Sequence, residues 1–485
     1  MLNSRPTTTF PRAVFRLVCA LALLITTLLG MEASVEAATL DETPLKSDPK
    51  RLPAIQQTDD DVGTGSFGFF NTQQEWEMEH MLPGRWLRPL NDRGIDYVMI
   101  YSTELLGNVR GGLKRGAVFS GVLEAGVALD TEKLLGWQGA TFYASSLMSH
   151  GPSLSERHLG DLYGGSSIES GSALRLYEVW LDQSFSDETL SLRLGQLAAD
   201  REFLGTDVGE LFMNAAFGWP AVFGLSVDAP SYPVATPGVR LRIDLSHFWV
   251  QSAIFTGLPE PLDDQGEAIE KHGVYWNFNG GALAMWEAGY ATATEEDDSR
   301  YPGVYKLGGW LHTGRFEDQY YDDLGLSLAD PFSSQNPRLL KNNWGLYAVA
   351  EQKIWRPANA VEERGLSIFA RAGGVPGDRN LVSLSMDGGL HYVGLLPGRP
   401  HDVTGVAFSY SEISARARAL VRDDNIYAIP PAPLPDYEAV LELTHRIEIK
   451  PWWHVQPDLQ YLMHPGGSRA LPNALVIGLR STLSF

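Results

Sequence analysis

The chain has 485 residues, a formal net charge of −21 at pH 7, 44% hydrophobic residues and 20% charged residues. This acidity disfavours nucleic-acid binding, which needs a basic surface, and the hydrophobic content is too high for a disordered chain. Beyond residue 30 no apolar run approaches the roughly 18 residues that a membrane-spanning helix needs, although strands with alternating polar residues could still span a membrane.

The N-terminus has the pattern of an export signal. Three arginines precede the apolar run Leu17–Gly30, and small residues follow at Ala33–Ala38. We expect residues 1–37 to be a cleaved signal peptide, cut after Ala37 or Ala38. The single cysteine, Cys19, lies within it, so the mature chain is expected to have no disulfide and no thiol chemistry.

The next segment, residues 38–93, is expected to be a periplasmic N-terminal segment. Residues 38–75 are polar and rich in Asp, Gln and Pro, as in a flexible lead, and Gln74–Gly94 could hold one short helix. From residue 94 to residue 485 the sequence predicts one β-domain.

Strict alternation of apolar and polar residues marks this β-domain. In "GVRLRIDL", Val239, Leu241 and Ile243 share one face, and Arg240 and Arg242 share the other. This period of two is typical of a strand with one apolar and one polar face. About sixteen such segments occur, near 95–104, 117–130, 139–149, 172–184, 188–197, 238–245, 248–257, 282–292, 303–314, 344–355, 365–375, 382–394, 402–412, 437–449, 452–463 and 474–485.

The gaps between the segments alternate between long and short. This favours an outer-membrane barrel, with long loops on one rim and tight turns on the other. The short gaps also carry aromatic residues, as expected at a membrane interface: Trp137, Phe185, Trp355, Trp452 and Trp453. The long gaps are Gly151–Gly171, Leu197–Pro237, Leu258–Gly281, Arg315–Asn343 and Ile413–Asp436.

Closure of the sheet has a physical cause. Hydrocarbon cannot satisfy backbone N–H and C=O groups, so a membrane sheet must leave no edge. We therefore predict an all-β transmembrane antiparallel barrel of about sixteen strands, with a lumen wide enough for an aqueous channel.

Signatures of catalysis and metal binding are missing from the sequence. There is no H-E-x-x-H, G-x-S-x-G or Walker A motif, and the eleven histidines are scattered. The acidic runs near residues 59–61, 295–298 and 322–323 could hold calcium, but solvated turns are the favoured interpretation. We expect no cofactor, no metal and no enzymatic activity.

The lumen is where function is expected. The longest gap contains "LFMNAAFGWPAVFG", which is too apolar for an exposed loop, so we expect it to fold into the barrel and narrow the pore. It would place Asp200, Arg201 and Glu202 in the channel, with the rings of Phe203, Phe217 and Trp219 free to stack on pyranose rings. Inward strand positions supply further candidate contacts for sugar hydroxyls or ions: Glu124, Glu178, Asp182, Arg193, Arg240, Arg242, Asp244, Trp310 and Arg480.

The sequence resembles the carbohydrate-selective porins of the OprB family over nearly all of residues 74–485. The stretches that carry the resemblance are "GIDYVMIYSTELLGNVRGG", "LDTEKLLGWQGATFYAS", "RLYEVWLDQSF", "GQLAADREF", "LFMNAAFGWP", "GWLHTGRFEDQ", "IFARAGG", "GLLPGRPHD" and "PWWHVQPDLQYLMHPGG". The "WEMEHMLPGRW" stretch departs from the family's W-x-x-L-L-G-D-W-G-G motif at Pro83 and Arg85.

The resemblance implies a monomeric sixteen-stranded barrel in the outer membrane of a Gram-negative bacterium. It also implies passive diffusion of glucose and related mono- and oligosaccharides through a constriction of arginine and acidic side chains. The alternatives are a general or ion-preferring porin of the same architecture, a polysaccharide export channel, and a barrel enzyme acting on lipid or glycan.

The segment "NALVIGLRSTLSF" is predicted to be the closing strand. Its apolar residues would face the outer-membrane lipid, and Arg480 would face the lumen. By resemblance to other outer-membrane barrels, the aromatic residue Phe485 is expected to be the membrane insertion signal that the barrel-insertion machinery reads.

Overall fold

A computed structural model describes residues 90–185, 189–227, 229–259, 271–293, 301–357 and 364–485. The predicted signal peptide lies outside the described residues, as does nearly all of the N-terminal segment, including most of the stretch 74–94 that could hold a helix. Among the helices of the described part, none has the length and apolar character required to cross a bilayer.

Sixteen strands are found among the described residues, and they form one closed antiparallel barrel in which each strand pairs with its sequence neighbours and β1 pairs with β16. The sixteen-stranded barrel predicted from the alternation is therefore confirmed. The strands are β1 Ile95–Arg110, β2 Gly116–Asp130, β3 Ala140–His150, β4 Ala173–Phe185, β5 Leu190–Leu197, β6 Thr236–Leu245, β7 Phe248–Thr256, β8 Ala282–Ala291, β9 Gly303–Asp322, β10 Pro337–Trp355, β11 Gly365–Gly374, β12 Val382–Val393, β13 Val403–Ile413, β14 Tyr437–Lys450, β15 Trp453–Met463 and β16 Ala474–Ser484.

One predicted loop is wrong. Most of the expected loop Arg315–Asn343 belongs to the hairpin of β9 and β10, which stay paired as far as Asp322 and Pro337. Above the bilayer both faces of a hairpin can be wet, so its strands need no apolar alternation. The polar sequence "RFEDQYYDD" therefore hid the extension of β9.

Helices are short and lie between strands. The α-helices are α1 Thr131–Leu135, α2 Ala221–Gly224 and α3 Ala415–Asp424. A π-helical turn spans Ser155–Leu159, and 3₁₀ turns span Ala199–Arg201, Gly209–Leu211, Ala215–Phe217 and Pro465–Gly467.

The outer surface of the barrel is apolar, as the alternation predicts. Phe119, Leu307 and Leu346 are each more than half exposed, because they face the position of the lipid rather than a protein core. The five aromatic residues at short gaps are also exposed: Trp137, Phe185, Trp355, Trp452 and Trp453.

The segment between β5 and β6, residues 198–235, folds inside the barrel as predicted from its apolar content, and we call it the inward loop. Carboxylates from well-separated strands accept its backbone N–H groups, which is possible only across the lumen. The pairs are Glu178 with Ala198 at 3.0 Å, Glu287 with Leu204 at 3.1 Å, Glu351 with Val208 at 3.2 Å, and Glu442 with Met213 at 2.6 Å and with Asn214 at 2.9 Å.

The hydrophobic core therefore lies within the barrel. In one cluster Phe223 of the inward loop packs on Trp310 of β9 and Tyr347 of β10, with ring centroids 5.6 Å apart in both cases. In a second cluster Phe212 packs on Phe217 and on Phe369 of β11. Burial of these rings, at about 25 cal/mol per Å² of apolar area, stabilises the loop in the lumen.

Candidate functional site: charged clusters inside the barrel

Four charged side chains meet at mid-height on the wall formed by β4, β5 and β6. Antiparallel pairing places Arg193 opposite both Asp182 and Arg240. The alternation of side chains then directs all three inward. Two arginines directly opposite each other would repel, so this arrangement needs nearby carboxylates.

The inward loop supplies the second carboxylate, that of Glu202. Arg193 donates to Asp182 and to Glu202, at 2.7 Å in each case. Arg240 donates to Asp182 at 2.9 Å and to Glu202 at 3.1 Å. These four residues, which we call the ionic ring, close a cycle in which each arginine contacts both carboxylates.

The charges of the ionic ring balance. Burial alone would raise the pKa of Glu202, but the guanidinium groups of Arg193, Arg240 and Arg242 outweigh it and lower that pKa below its ordinary value. Glu202 is therefore ionised at neutral pH, and two arginines face two carboxylates. Such a ring offers hydrogen-bond donors and acceptors without an excess of either charge.

A second cluster joins the start of the inward loop to β2 and β4. Arg201 pairs with Glu124 at 2.6 Å and with Glu178 at 3.5 Å. The neighbouring Asp200 accepts from the backbone N–H of Tyr232 at 2.8 Å. Burial raises the pKa of Asp200 to about 7, against the opposing effects of this hydrogen bond and of Arg201.

Arg242 and Asp244 form a separate pair on β6, nearer the short turn to β7. Arg242 donates to both oxygens of Asp244 at 2.8–3.0 Å. Their side chains are 35% and 42% exposed, in contrast to the nearly buried ionic ring.

Arg480 lies elsewhere, on β16, where it pairs with Glu104 of β1 and donates to Ser167 at 3.0 Å.

The aromatic residues expected to line the channel are mostly enclosed by protein. Trp310 is fully buried, and Phe203 and Phe217 are 1% exposed, so none of the three presents a free ring face to a solute. The sequence could not show this, because the burial of these rings depends on how the inward loop packs inside the barrel. Trp219 is only partly buried and packs on Phe223 at 5.3 Å.

Arg371 and Trp249 are among the inward residues that were not singled out from the sequence. Arg371 of β11 donates to carbonyls of the inward loop, among them Gly218 at 2.8 Å. Trp249 of β7 lies opposite Asp244, with Arg242 at 5.5 Å from its ring centroid. The two-residue turn between β6 and β7 was the available signal, since it fixes the cross-strand partners of Asp244.

In the described part of the chain, no three His, Cys, Asp or Glu side chains gather into a group that could hold a metal ion. Phe485 is partly exposed, and its backbone N–H donates to Met99 of β1 at 2.8 Å.

Residues 114–485 match the family model described as "Carbohydrate-selective porin, OprB family". The chain belongs to the carbohydrate-selective porin family. It is 28% identical over 414 residues to Porin B of Pseudomonas aeruginosa, a match that covers 82% of this chain and 88% of that protein.

Solved structures agree with this membership. The high-pH structure of Pseudomonas putida OprB is similar to this porin with a TM-score of 0.73 and 25% identity, covering 87% of this chain and 99% of the other. The low-pH structure of the same protein has the same coverage, a TM-score of 0.50 and 20% identity, and shows the fold alone. The chain is therefore a sugar-selective porin of the outer membrane.

Proposed function

We propose that this porin passes neutral hexoses, glucose among them, by passive diffusion, and that the ionic ring is its constriction. The observation that carries the proposal is the balance of charge in the ring, where two guanidinium groups each contact the same two carboxylates. A cation is repelled there by the guanidinium groups and an anion by the carboxylates. Sugar hydroxyls, in contrast, can donate to the carboxylates and accept from the guanidinium groups.

The low solvent exposure of the two ring arginines suits their proposed role in the constriction. Arg240 and Arg193 are 4% and 5% exposed, so only a small part of each side chain can reach a solute. Contacts of this kind are weak and numerous, and a passive pore needs weak contacts because tight binding would prevent release. No chemical step is involved, and transport follows the concentration gradient of the sugar.

Ion selectivity tests the ring directly. Glu202→Gln should leave the ring with one excess positive charge and shift the permeability ratio toward anions by about fivefold, since a charge at 4 Å contributes about 1 kcal/mol in water. Arg240→Gln should shift the ratio toward cations by a similar factor, and the double variant should return near the parent value. Reversal potentials in planar bilayers under a salt gradient measure all three.

The control is Glu132→Gln, which makes the same charge change in helix α1 at an exposed position. If the ring variants behave like this control, the ring is not in the permeation path. Liposome swelling with glucose and with an amino acid of similar size completes the test. Equal rates in the parent porin would favour the alternative of a general or ion-preferring porin.

The oligomeric state and the export alternative are each tested by a separate experiment. The monomeric state implied by the resemblance stays a prediction, which mass determination in detergent would test. A polysaccharide export channel would require a polymer to pass the ring, so it predicts passage of long oligosaccharides at rates close to those of glucose.

A further inference from the structure

Trp249 occupies an unusual place on the inner wall, near the periplasmic turn between β6 and β7. Its cross-strand partner on β8 is Gly289. A Cβ atom at Gly289 would lie 2.0 Å from Cζ2 of the indole and 2.2 Å from Cε2. The indole therefore lies across the backbone of β8 in space that any other residue at position 289 would fill.

The neighbouring strand places a charged pair beside this ring. Asp244 is the cross-strand partner of Trp249, and Arg242 lies two residues earlier on the same face of β6. The guanidinium carbon of Arg242 is 5.5 Å from the indole centroid. Three hydrogen bonds of 2.8–3.0 Å hold Arg242 to Asp244.

Exposure separates this group from the ionic ring. Arg193 and Arg240 of the ionic ring are almost buried, whereas the side chains of Arg242 and Asp244 are 35% and 42% exposed. Trp249 is also partly exposed. The indole, the guanidinium and the carboxylate are thus each partly exposed at one place.

We propose that Trp249, Arg242 and Asp244 form a second sugar contact, which takes one hexose in its pyranose form after the ionic ring. The apolar C–H face of the pyranose lies on the indole, and its hydroxyls donate to Asp244 and accept from Arg242. This inference rests on the proposed function, because it presumes that hexoses pass the ring.

The chemistry selects closed sugar rings over open chains. A pyranose has a flat face of C–H groups that can cover an aromatic ring, and burial of such apolar area is favourable. An open-chain hexitol has the same number of carbons and a similar set of hydroxyls but no flat face. Arg242 and Asp244 can hydrogen-bond to the hydroxyls of the pyranose and of the hexitol equally well. The indole alone therefore accounts for discrimination between the two solutes.

Liposome swelling with glucose and with sorbitol tests this assignment. The parent porin should admit glucose faster than sorbitol. Trp249→Ala should reduce that ratio by about fourfold, equivalent to the loss of about one buried CH₂ group. Trp249→Phe keeps an aromatic face and should restore most of the ratio.

The matched control is Trp344→Ala, on the outer face of β10, which should leave the ratio at the parent value.

Heat-modified migration on gels identifies correctly folded porin, and if Trp249→Ala does not fold, the Phe variant and Arg242→Gln are compared with the parent. Arg242→Gln should slow both solutes together and keep the ratio.

The outcomes separate the two proposals. If the parent does not discriminate glucose from sorbitol, or if Trp249→Ala keeps the parent ratio, the second sugar contact is refuted. The ionic ring would still stand if its variants alter ion selectivity as described above. If the ring variants have no effect but the Trp249 variant does, the proposed constriction is wrong and the hexose contact is retained.

Discussion

At the scale of single residues, Arg371 anchors the inward loop to β11. It is 3% exposed, pairs with Asp387 at 3.0 Å and donates to four carbonyls of the loop between Leu204 and Gly218. A single guanidinium thus satisfies four backbone acceptors of the loop. Its five donors and fixed planar shape suit this task better than the ammonium of a lysine.

Replacement of Arg371 tests that role. Arg371→Met should destabilise the folded porin by about 3–5 kcal/mol, because it leaves Asp387 buried without a partner. Arg371→Met combined with Asp387→Asn should recover part of that loss. Midpoints of urea unfolding in detergent measure the effect, and Arg379→Met, in a less buried pair with Asp378, serves as the control. Equal midpoints for the two arginine variants would contradict the role assigned to Arg371.

At the scale of elements, the inward loop carries carboxyl groups whose surroundings disfavour ionisation. Burial raises the pKa of Asp200 to about 7. Burial also raises the pKa of Glu210 to about 8, with further effects of Asp207 and Glu351 in the same direction. Both groups are therefore largely neutral in weakly acidic solution.

These raised pKa values predict a pH dependence of stability. A carboxyl group whose pKa is higher in the folded state than in the unfolded state stabilises the fold most when the pH is below its pKa in the unfolded state. That stabilisation is lost as the pH rises through its pKa in the folded state. The porin should therefore unfold at lower temperature at pH 9 than at pH 6. Asp200→Asn with Glu210→Gln should flatten the profile between these values, as followed by thermal melting in detergent.

Glu202 provides the opposite case within the same loop. Because its pKa is lowered, Glu202→Gln should leave the profile between pH 6 and pH 9 as it is in the parent. A profile that flattens equally in the Glu202 variant would show that the pH dependence does not arise from the two neutral carboxyl groups.

At the scale of the whole molecule, one seam closes the barrel. Strands β1 and β16 pair from Ile100 with Ser484 to Arg110 with Leu475, and Glu104 lies directly opposite Arg480. Their salt bridge crosses the seam on the inner face, where both side chains are nearly buried. Closure thus joins the two most distant strands in the described sequence with a pair of opposite charges.

A charge exchange tests the contribution of this pair to closure. Arg480→Glu should lower the temperature at which the barrel unfolds on gels, because it sets two buried carboxylates against each other. Glu104→Arg together with Arg480→Glu should recover much of the loss. If the double variant is no more stable than the sum of the single variants predicts, the two side chains are not coupled.

Period-two alternation was enough to predict the sixteen strands within the bilayer, since a membrane barrel must present apolar residues outward at every second position, but it did not predict the extension of β9 and β10 beyond it. The apolar sequence around Phe212 and Trp219 was likewise enough to predict that the loop turns inward. The partners of Glu202 and the burial of Trp310 could not be predicted. Both depend on contacts between the inward loop and β5, β6 and β9, and alternation within one strand carries no information about such contacts.

The position of the core has a consequence for how this protein can change. The barrel wall is one strand thick and has an apolar surface on each side, one toward lipid and one toward the inward loop. Most residues on either side are therefore constrained by packing. The open stretch around Arg242, Asp244 and Trp249 lies outside both constraints. Substitutions there can alter which solutes pass while the barrel keeps its stability, so a new sugar preference would arise most readily at the exit of the channel.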